Sequence, residues 1–350
     1  MKLSVIIPFY NLEHYVRECL DSVVSAFSAC NIHLPDIEST NRRIEESTNL
    51  PSTEVICVDD GSTDTTGRLL DEYAAEHNLQ SSIFNLQFSI LHQPNGGEGA
   101  ARNIGLAAAT GDWVTFLDGD DVWLANMLTT AVRRIVAHPE ADLVAFRYAD
   151  FDDGKPPPPP TAAIAPDRVY DLKDGVPDEV IINAGVFPTF FRREVLSASR
   201  FSALPLGADR LFMAERFAEL RKIVISDEVV HGYRIRPGSM ARAVWNERKV
   251  KSQCDYAHGA LVALAASGRP VGSAASAYLA SLWLSDVPAR IARIKSEVER
   301  RETFMHWLMT LNGTVDSVLP PRYRRERKVL STFPRRLVIS LARLMRAIGF

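Results

Sequence analysis

The chain contains 350 residues, 46% of which are hydrophobic, and it carries a formal net charge of −3 at pH 7. A chain of this length can bury one large core together with an appendage. Its charge balance lacks the excess of cations that polyanion binding requires, so we predict no nucleic-acid partner.

Short apolar strands alternate with amphipathic helices over the first third of the chain. The patterns predict strands at residues 4–11, 54–58, 88–91 and 113–117, and helices at residues 12–27, 66–77 and 99–109. This βαβαβαβ order predicts an α/β fold with a doubly wound, mainly parallel sheet that has helices on both faces. A ligand crevice is expected at the carboxyl ends of the strands.

The fourth predicted strand runs directly into Asp118-Gly119-Asp120-Asp121, which we call the acidic motif. Carboxylates this close repel one another unless a cation or several donors compensate them. Oxygen-only ligands suit Mg²⁺ or Mn²⁺, which keep coordination sites for substrate phosphates. Taken alone, the motif would be read as a solvated acidic turn.

Three further segments lie at or near predicted strand ends in the same way. They read Val5-Ile6-Ile7-Pro8-Phe9-Tyr10-Asn11, Val58-Asp59-Asp60-Gly61-Ser62-Thr63-Asp64 and Asn95-Gly96-Gly97-Glu98-Gly99-Ala100-Ala101-Arg102-Asn103-Ile104-Gly105-Leu106. Together with Phe116-Leu117 and the acidic motif, they resemble in order and spacing the signature blocks of the inverting family 2 glycosyltransferases, which have the GT-A fold. The resemblance covers roughly residues 1–240.

The resemblance implies a nucleotide-binding edge. In the family, the turn after the first strand and the second Asp of the Asp-Asp-Gly-Ser block hold the base, which implies this role for Pro8, Tyr10, Asn11 and Asp60. A carboxylate can accept the ring N–H of uracil, and an aromatic side chain can cover the base. Tyr10 could instead pack in the core.

Neighbouring residues carry further implied roles. Arg102 is expected to reach the nucleotide or its phosphates, although it could be a surface helix cation, and Asp118 is assigned to nucleotide binding. Asp59 is expected to stabilise its own turn through bonds to the backbone of Ser62 or Thr63. The resemblance also implies that the acidic motif holds a metal on the donor diphosphate, and we favour Asp120 and Asp121 over Asp118 as its ligands.

An inverting transfer also needs a carboxylate that takes the proton of the acceptor hydroxyl. The family places this base in a Glu-Asp-x-x-Phe pattern after a Gly, and Gly207-Ala208-Asp209-Arg210-Leu211-Phe212 fits it with Ala208 in place of Glu. Asp209 is therefore the predicted base. Without the resemblance, it would be read as a helix cap or a first-turn acid.

A segment from His231 to Met240 resembles the family's Tyr-Arg-x-x-x-x-Ser-Met block, which closes over the donor. Arg234 or Arg236 could meet the diphosphate, because a guanidinium suits bidentate phosphate contact. His231 could complete the metal site or could be structural.

The remaining segments divide the chain into a catalytic domain at residues 1–241, a helical extension at residues 242–320 and a basic tail at residues 321–350. Residues 28–53 are predicted to be a surface insertion. Residues 154–166 are predicted to be a polyproline II loop that either contributes to acceptor binding or serves as a rigid spacer. The tail places nine Lys or Arg residues against one acid, Glu326, and predicts a basic amphipathic helix beginning near Pro334. Such a helix can bind an anionic membrane surface, or it can dock on the protein's own core or on a partner subunit.

The sequence thus predicts a metal-assisted inverting glycosyltransferase for polysaccharide biosynthesis. Its partners would be a nucleotide-sugar donor, which we expect to be a UDP-sugar, and a hydroxyl of a glycan or lipid-linked glycan acceptor. Alternatives are a sugar-phosphate nucleotidylyltransferase, a phosphoacceptor signalling domain and an inactive scaffold. The chain has four cysteines without redox or metal spacing, which predicts reduced thiols in the cytoplasm. It has no apolar window of the ~18 residues that a spanning helix needs. We therefore predict a cytoplasmic protein that its basic tail holds at the inner face of the membrane.

Overall fold

The computed structural model describes residues 1–33, 51–78, 85–163, 165–182, 185–239, 244–311 and 313–332. Its strands are β1 (Lys2–Phe9), β2 (Ser52–Asp59), β3 (Leu86–His92), β4 (Trp113–Phe116), β5 (Val122–Trp123), β6 (Leu143–Asp152), β7 (Arg168–Asp171), β8 (Thr189–Arg192) and β9 (Lys222–Ile235). Its α-helices are α1 (Val16–His33), α2 (Thr66–Asn78), α3 (Glu98–Ala108), α4 (Met127–Ala137), α5 (Asp178–Ile182), α6 (Ala208–Phe217), α7 (Glu247–Ala266), α8 (Ser273–Ser281), α9 (Val287–Ile291), α10 (Glu297–Thr310) and α11 (Pro321–Thr332).

The strands form one mixed sheet in the order β3-β2-β1-β4-β8-β6-β9-β5, with β7 on β9. The first four strands, β1 to β4, run parallel to one another, so the predicted βαβαβαβ arrangement and α/β fold are confirmed. Strand β8 runs antiparallel to both β4 and β6, whereas β6 and β9 are parallel. The second half of the sheet is therefore mixed rather than parallel.

Strand β1 is buried on both sides because helices cover both faces of the parallel half of the sheet. On one face, Val16, Leu20 and Val23 of α1 pack in a core with Val5 and Ile7. On the other face, α3 approaches so closely that a Cβ at Gly105 would collide with Ile6. Burial on two faces explains the continuous apolar run of β1, which lacks the alternation of a half-exposed strand.

The amino-terminal ends of β1, β2 and β4 are joined by Glu54. Its carboxylate accepts hydrogen bonds from Ser4 Oγ at 2.5 Å and from the Thr110 N–H at 2.6 Å, and it pairs with Lys2 Nζ at 2.6 Å. Burial opposes ionisation of Glu54, but these donors outweigh it and lower the pKa to about 2. This partly buried anion fixes the end of the sheet opposite the acidic motif.

The chain divides into two compact units that are not consecutive in sequence. The first comprises Met1–Tyr170, Gly185–Ala203 and Leu220–Pro237, and the second comprises Asp171–Ala184, Leu204–Glu219 and Gly238–Phe350. The predicted division at residues 241 and 320 stays a prediction.

The second unit is helical, as the pattern after residue 242 predicts. Its core contains Trp283 and Trp307, and the Trp307 indole N–H donates to the Trp283 carbonyl at 3.0 Å. In α11, the buried Arg327 side chain forms a bidentate pair with Asp316 at 2.7 and 2.8 Å, so the first part of the basic tail packs on this unit. Of the predicted insertion, residues 34–50 lie outside the described residues, as do residues 333–350 with the helix predicted near Pro334.

Residues 156–160 of the predicted polyproline II loop belong to neither a helix nor a strand, and their polyproline II conformation stays a prediction. In the described part of the chain, no helix combines the length and the apolar character needed to cross a bilayer.

Candidate active site

The acidic motif lies at the carboxyl ends of the central strands, between β4 and β5. Gly119 allows the motif to pass under the end of β1, because a Cβ at this position would lie 2.8 Å from the Pro8 carbonyl oxygen. Strand β5 then pairs with β9 at Val122 and Gly232, which brings the His231 segment to the motif. Two regions far apart in sequence are thereby joined at one edge of the sheet.

Asp121 is enclosed by protein donors. Its side chain is 1% exposed, its Oδ2 lies 2.9 Å from His231 Nε2, and its Oδ1 accepts the backbone N–H of Arg234 at 2.8 Å. Burial raises the pKa of Asp121 to about 6, against the opposing effect of His231. Because both oxygens are already used, the geometry does not favour the predicted metal role of Asp121 and instead makes it an anchor for β9.

Asp118 and Asp120 are less deeply buried, with side chains that are 20% and 19% exposed. Asp118 Oδ1 accepts from the buried Arg102 guanidinium at 2.6 Å, and Asp120 Oδ2 accepts from Arg236 Nε at 2.5 Å. Burial raises the pKa of Asp118, and Arg102 opposes this rise. Each carboxylate therefore keeps one oxygen outside its ion pair.

Arg102 fits neither of its predicted roles, whereas His231 fits the structural one of its two. Arg102 is 2% exposed and also pairs with Glu98, so it is neither a surface cation nor directed freely at a ligand. His231 is fully buried, and its ring stacks on Phe187 with centroids 5.3 Å apart. These contacts indicate that both side chains hold the motif in place.

Arg234 is also buried, at 4% exposure. Its Nε donates to the Asp120 carbonyl at 2.7 Å, and its two terminal nitrogens pair with Glu18 at 2.6 Å and Asp153 at 3.2 Å. The guanidinium lies between the rings of Tyr15 and Phe151, 5.1 and 4.6 Å from their centroids. With its donors engaged, Arg234 is a poor candidate for the predicted diphosphate contact, and Arg236 remains the better one.

A cleft of about 530 Å³ opens beside Arg234 on the first unit. Its walls come from the start of α1 and from the beginning of the proline-rich segment, and they consist of His14, Tyr15, Glu18, Asp153, Gly154, Lys155, Pro156 and Arg234. The cleft combines charged side chains of both signs with the rings of His14 and Tyr15.

Asp60 organises the predicted nucleotide edge. It is 3% exposed, its two oxygens accept the N–H groups of Gly96 and Gly97 at 2.8 Å each, and it also accepts from Gln93. Asp60 thus shapes the glycine-rich turn before α3. The predicted Asx-type bond of Asp59 is confirmed, since its Oδ1 accepts the Ser62 N–H at 3.0 Å.

The turn after β1 presents two of the predicted nucleotide residues, while Pro8 is buried at the end of β1. Asn11 has a positive φ of 51°, and its side-chain oxygen accepts the Thr63 N–H at 2.8 Å. Tyr10 is 46% exposed, so core packing does not explain it.

Asp209 belongs to the second unit, where it lies in the first turn of α6 and is partly exposed. Gly207 precedes the helix with φ 77°, and a Cβ there would collide with the Tyr256 ring of α7. Within the described ranges, the Asp209 carboxylate accepts no hydrogen bond, so it is neither the helix cap nor engaged elsewhere.

The acidic motif is not a closed metal cage. Among the described residues, the group of His, Cys, Asp and Glu side chains whose ligand atoms converge within 4.8 Å is Cys254, Asp255 and His306 of the second unit. There His306 and Asp255 already bond to each other at 2.5 Å. An open site in the motif fits an ion that is completed by substrate phosphates.

Sequence reasoning missed several supporting residues, among them Glu18, Gln93, Asp153 and Phe187. The signal for Gln93 was present, because a buried carboxylate such as Asp60 requires donors and Gln93 stands beside the glycine-rich turn. Glu18 and Asp153 show no local pattern, since their partner Arg234 lies far along the chain.

The glycosyl transferase family 2 model matches residues 4–199 of this chain. Glycosyltransferase GlyA of Streptococcus pneumoniae is 26% identical over 302 residues, which are 81% of this chain and 38% of the relative. Poly(ribitol-phosphate) beta-N-acetylglucosaminyltransferase TarS of Staphylococcus aureus is 26% identical over 242 residues, 66% of this chain and 35% of the relative. The chain therefore spans well under half the length of these two relatives.

Solved structures share the fold. A crystal structure of S. aureus TarS 1-349 in complex with UDP has a TM-score of 0.63 at 20% identity, covering 95% of this chain and 88% of the other. The mannosyltransferase PcManGT of Pyrobaculum calidifontis, in complex with GDP-Man and Mn²⁺, has a TM-score of 0.51 at 16% identity, covering 95% and 87%. Since the family model spans more than half of the sequence and these neighbours share its architecture, the chain belongs to glycosyl transferase family 2 and is a glycosyltransferase of the GT-A fold.

Proposed function

We propose that this enzyme is a metal-assisted inverting glycosyltransferase that uses a nucleotide-sugar donor, with a UDP-sugar as the expected one. The observation that carries the proposal is the pair Asp118 and Asp120, each held by a guanidinium through one oxygen at the carboxyl edge of the sheet. TarS structures in complex with UDP and with UDP-GlcNAc support the choice of donor. Family membership argues against the nucleotidylyltransferase and phosphoacceptor alternatives.

The donor set fits a hard divalent cation, because Asp118 and Asp120 offer carboxylate oxygens that are partly exposed. These two residues would hold Mn²⁺ or Mg²⁺, which when bound supplies Lewis-acid stabilisation of the diphosphate leaving group. The neighbour that contains Mn²⁺ supports this assignment. Arg102 and Arg236 keep the two carboxylates in place, and Arg236 is the cation available to the diphosphate.

The nucleotide would bind along the ends of β1 and β2. The exposed ring of Tyr10 can cover the base, and Asn11 fixes the turn that presents it. For Asp60 to bind the nucleobase, its carboxylate would accept a hydrogen bond from a ring N–H of the base in addition to those from the amides of Gly96 and Gly97. Pro8, buried one residue before the end of β1, leads the strand into this turn.

Asp209 would act as the general base in this scheme. A carboxylate at the acceptor hydroxyl takes its proton as the oxygen attacks the anomeric carbon, while the bond to the diphosphate breaks on the opposite side and the configuration inverts. The absence of a hydrogen-bonded partner for Asp209 in the described part of the chain supports this role.

The acceptor we propose is a hydroxyl of a glycan or of a lipid-linked glycan, as in polysaccharide biosynthesis. The name of TarS, a poly(ribitol-phosphate) beta-N-acetylglucosaminyltransferase, supports a polymeric acceptor. The sequence of residues 333–350, with Arg335, Arg336, Arg343 and Arg346 among apolar residues, supports attachment to an anionic membrane surface from the cytoplasm.

The test is titration calorimetry of UDP in the presence of Mn²⁺ and again in excess EDTA. We expect binding that requires the ion and that Asp120→Asn abolishes. The matched control is Asp174→Asn, which removes an exposed aspartate of the second unit and should leave binding unchanged. Full affinity of the wild type in EDTA would refute the metal role, and no UDP binding under any condition would refute the donor.

A further inference from the structure

Three aromatic side chains and His231 form a row on the first unit. Tyr148 of β6 is the register partner of His231 on β9, and Tyr233 follows two residues later on the same face of that strand. The Phe187 ring lies parallel to Tyr233 within 6°, with centroids 6.1 Å apart, and the Tyr148 and Tyr233 centroids are 5.7 Å apart. The row therefore runs from the buried His231 outward to Tyr148.

The outer end of this row is open. Tyr148 is 49% exposed, and Phe187 and Tyr233 are partly exposed. Other tyrosines of the first unit use their hydroxyls, as Tyr73 does toward Asp21 and Tyr15 toward Asp153. Among the described residues, no partner accepts from or donates to the hydroxyls of Tyr148 and Tyr233. The row thus presents ring faces and unengaged polar edges together.

The inner end of the row meets the acidic motif. His231, stacked on Phe187, lies 2.9 Å from Asp121. Burial and the nearby carboxylates of Asp121, Asp118 and Asp120 raise the pKa of Tyr233 to about 12, as expected for a phenol facing that motif. The aromatic row is therefore continuous with the carboxylates that would hold the donor diphosphate.

The sheet order separates this row from the nucleotide edge. Tyr10 and Asp60 follow β1 and β2, whereas β6 and β9 lie on the other side of β4. Suppose that the base of a nucleotide lies at Tyr10 and its diphosphate lies at the acidic motif. The aromatic row then lies on the far side of the diphosphate from the base. A sugar ring is the ligand expected at that position.

We propose that Tyr148, Tyr233 and Phe187 form a platform on which a pyranose ring of the acceptor stacks beside the acidic motif, an inference that rests on the proposed function. A pyranose presents a face of C–H groups bordered by hydroxyls, which matches ring faces bordered by phenol hydroxyls and carboxylates. The half-exposed Tyr148 suits an acceptor that enters from solvent, because a donor sugar is tethered to the diphosphate. Tyr148 is the outermost contact and decides acceptor affinity.

Saturation-transfer NMR tests the platform with two probes, methyl β-D-glucopyranoside and methyl N-acetyl-β-D-glucosaminide. An excess of UDP and Mg²⁺ is first added to the full chain, so that the nucleotide site is occupied without a donor sugar. We expect saturation to reach the ring C–H protons of at least one probe. Tyr148→Ala should weaken probe binding about fivefold, the scale of one aromatic contact, and Tyr148→Phe should retain it.

Calorimetry of UDP on the same variants separates this inference from the proposed function. Tyr148→Ala should leave UDP affinity unchanged, while Tyr10→Ala should weaken UDP and spare the probes. If UDP binds but neither probe receives saturation, or if Tyr148→Ala leaves probe binding intact, the platform is refuted alone. If Tyr148→Ala instead weakens a UDP-sugar more than UDP, the platform serves the donor sugar and the acceptor assignment is wrong. If UDP does not bind the wild type, the proposed function fails first.

Discussion

Replacing Arg234 by methionine should lower the free energy of unfolding by about 3 kcal/mol, because several modest interactions are lost together. The buried guanidinium bonds to the Asp120 carbonyl at 2.7 Å, and an unsatisfied buried acceptor costs about 1–3 kcal/mol. Its contacts with Tyr15 and Phe151 add roughly 1 kcal/mol. Glu18 and Asp153 are 45% and 34% exposed, so losing these two ion pairs adds less than about 1 kcal/mol each.

Urea unfolding followed by circular dichroism measures this change, with the slope m compared between variants. The matched control is Arg17→Met, which removes an ion pair with Glu76 whose two side chains are both 56% exposed. That substitution should change the free energy of unfolding by no more than about 0.5 kcal/mol. If Arg234→Met is as mild as Arg17→Met, the idea that Arg234 clamps the acidic motif is refuted.

Three further predictions address catalysis, stability and attachment. Asp209→Asn should keep UDP affinity while slowing sugar transfer by at least ~10², since an amide cannot take the acceptor proton; transfer at the wild-type rate would place the base elsewhere. The lowered pKa of Glu54 gives stabilisation that is fully present above about pH 4.5 and is lost as the pH falls toward 2. Glu54→Gln should therefore cost about 2 kcal/mol in urea unfolding at neutral pH and flatten the acid dependence, and an unchanged acid profile would contradict this. Deleting residues 333–350 should release the protein from anionic liposomes without changing UDP affinity, and a full chain that ignores such liposomes at low salt would exclude the membrane role.

The elements of the first half were predictable because each strand and helix has its own apolar period. The start of α1 was less so, since the apolar pattern begins at Leu12 but the helix begins at Val16. The N–H group of Leu12 bonds instead to Thr66, the first residue of α2, and that of Glu13 bonds to Asp64 on the loop before this helix. These tertiary bonds hold residues 12 and 13 outside the helix, and a local pattern carries no trace of them.

The site was predictable as a set of segments but not in the roles within it. Three aspartates of one short motif look alike in sequence, yet Asp121 is sealed while Asp118 and Asp120 stay partly exposed. The difference arises from His231 and Arg234, whose approach depends on the pairing of β5 with β9. Long-range strand pairing is the information that separates a structural carboxylate from a candidate metal ligand.

The ion pairs of Asp118 and Asp120 affect how the metal and the nucleotide would bind. Arg102 and Arg236 already neutralise much of the charge of Asp118 and Asp120, so the apo motif lacks the strong negative field that would hold a divalent cation alone. A diphosphate adds oxygen ligands and negative charge at the same place, and it offers Arg236 an alternative partner. The ion and the nucleotide should therefore stabilise each other's binding, and the guanidinium pairs keep the carboxylates in position until both arrive.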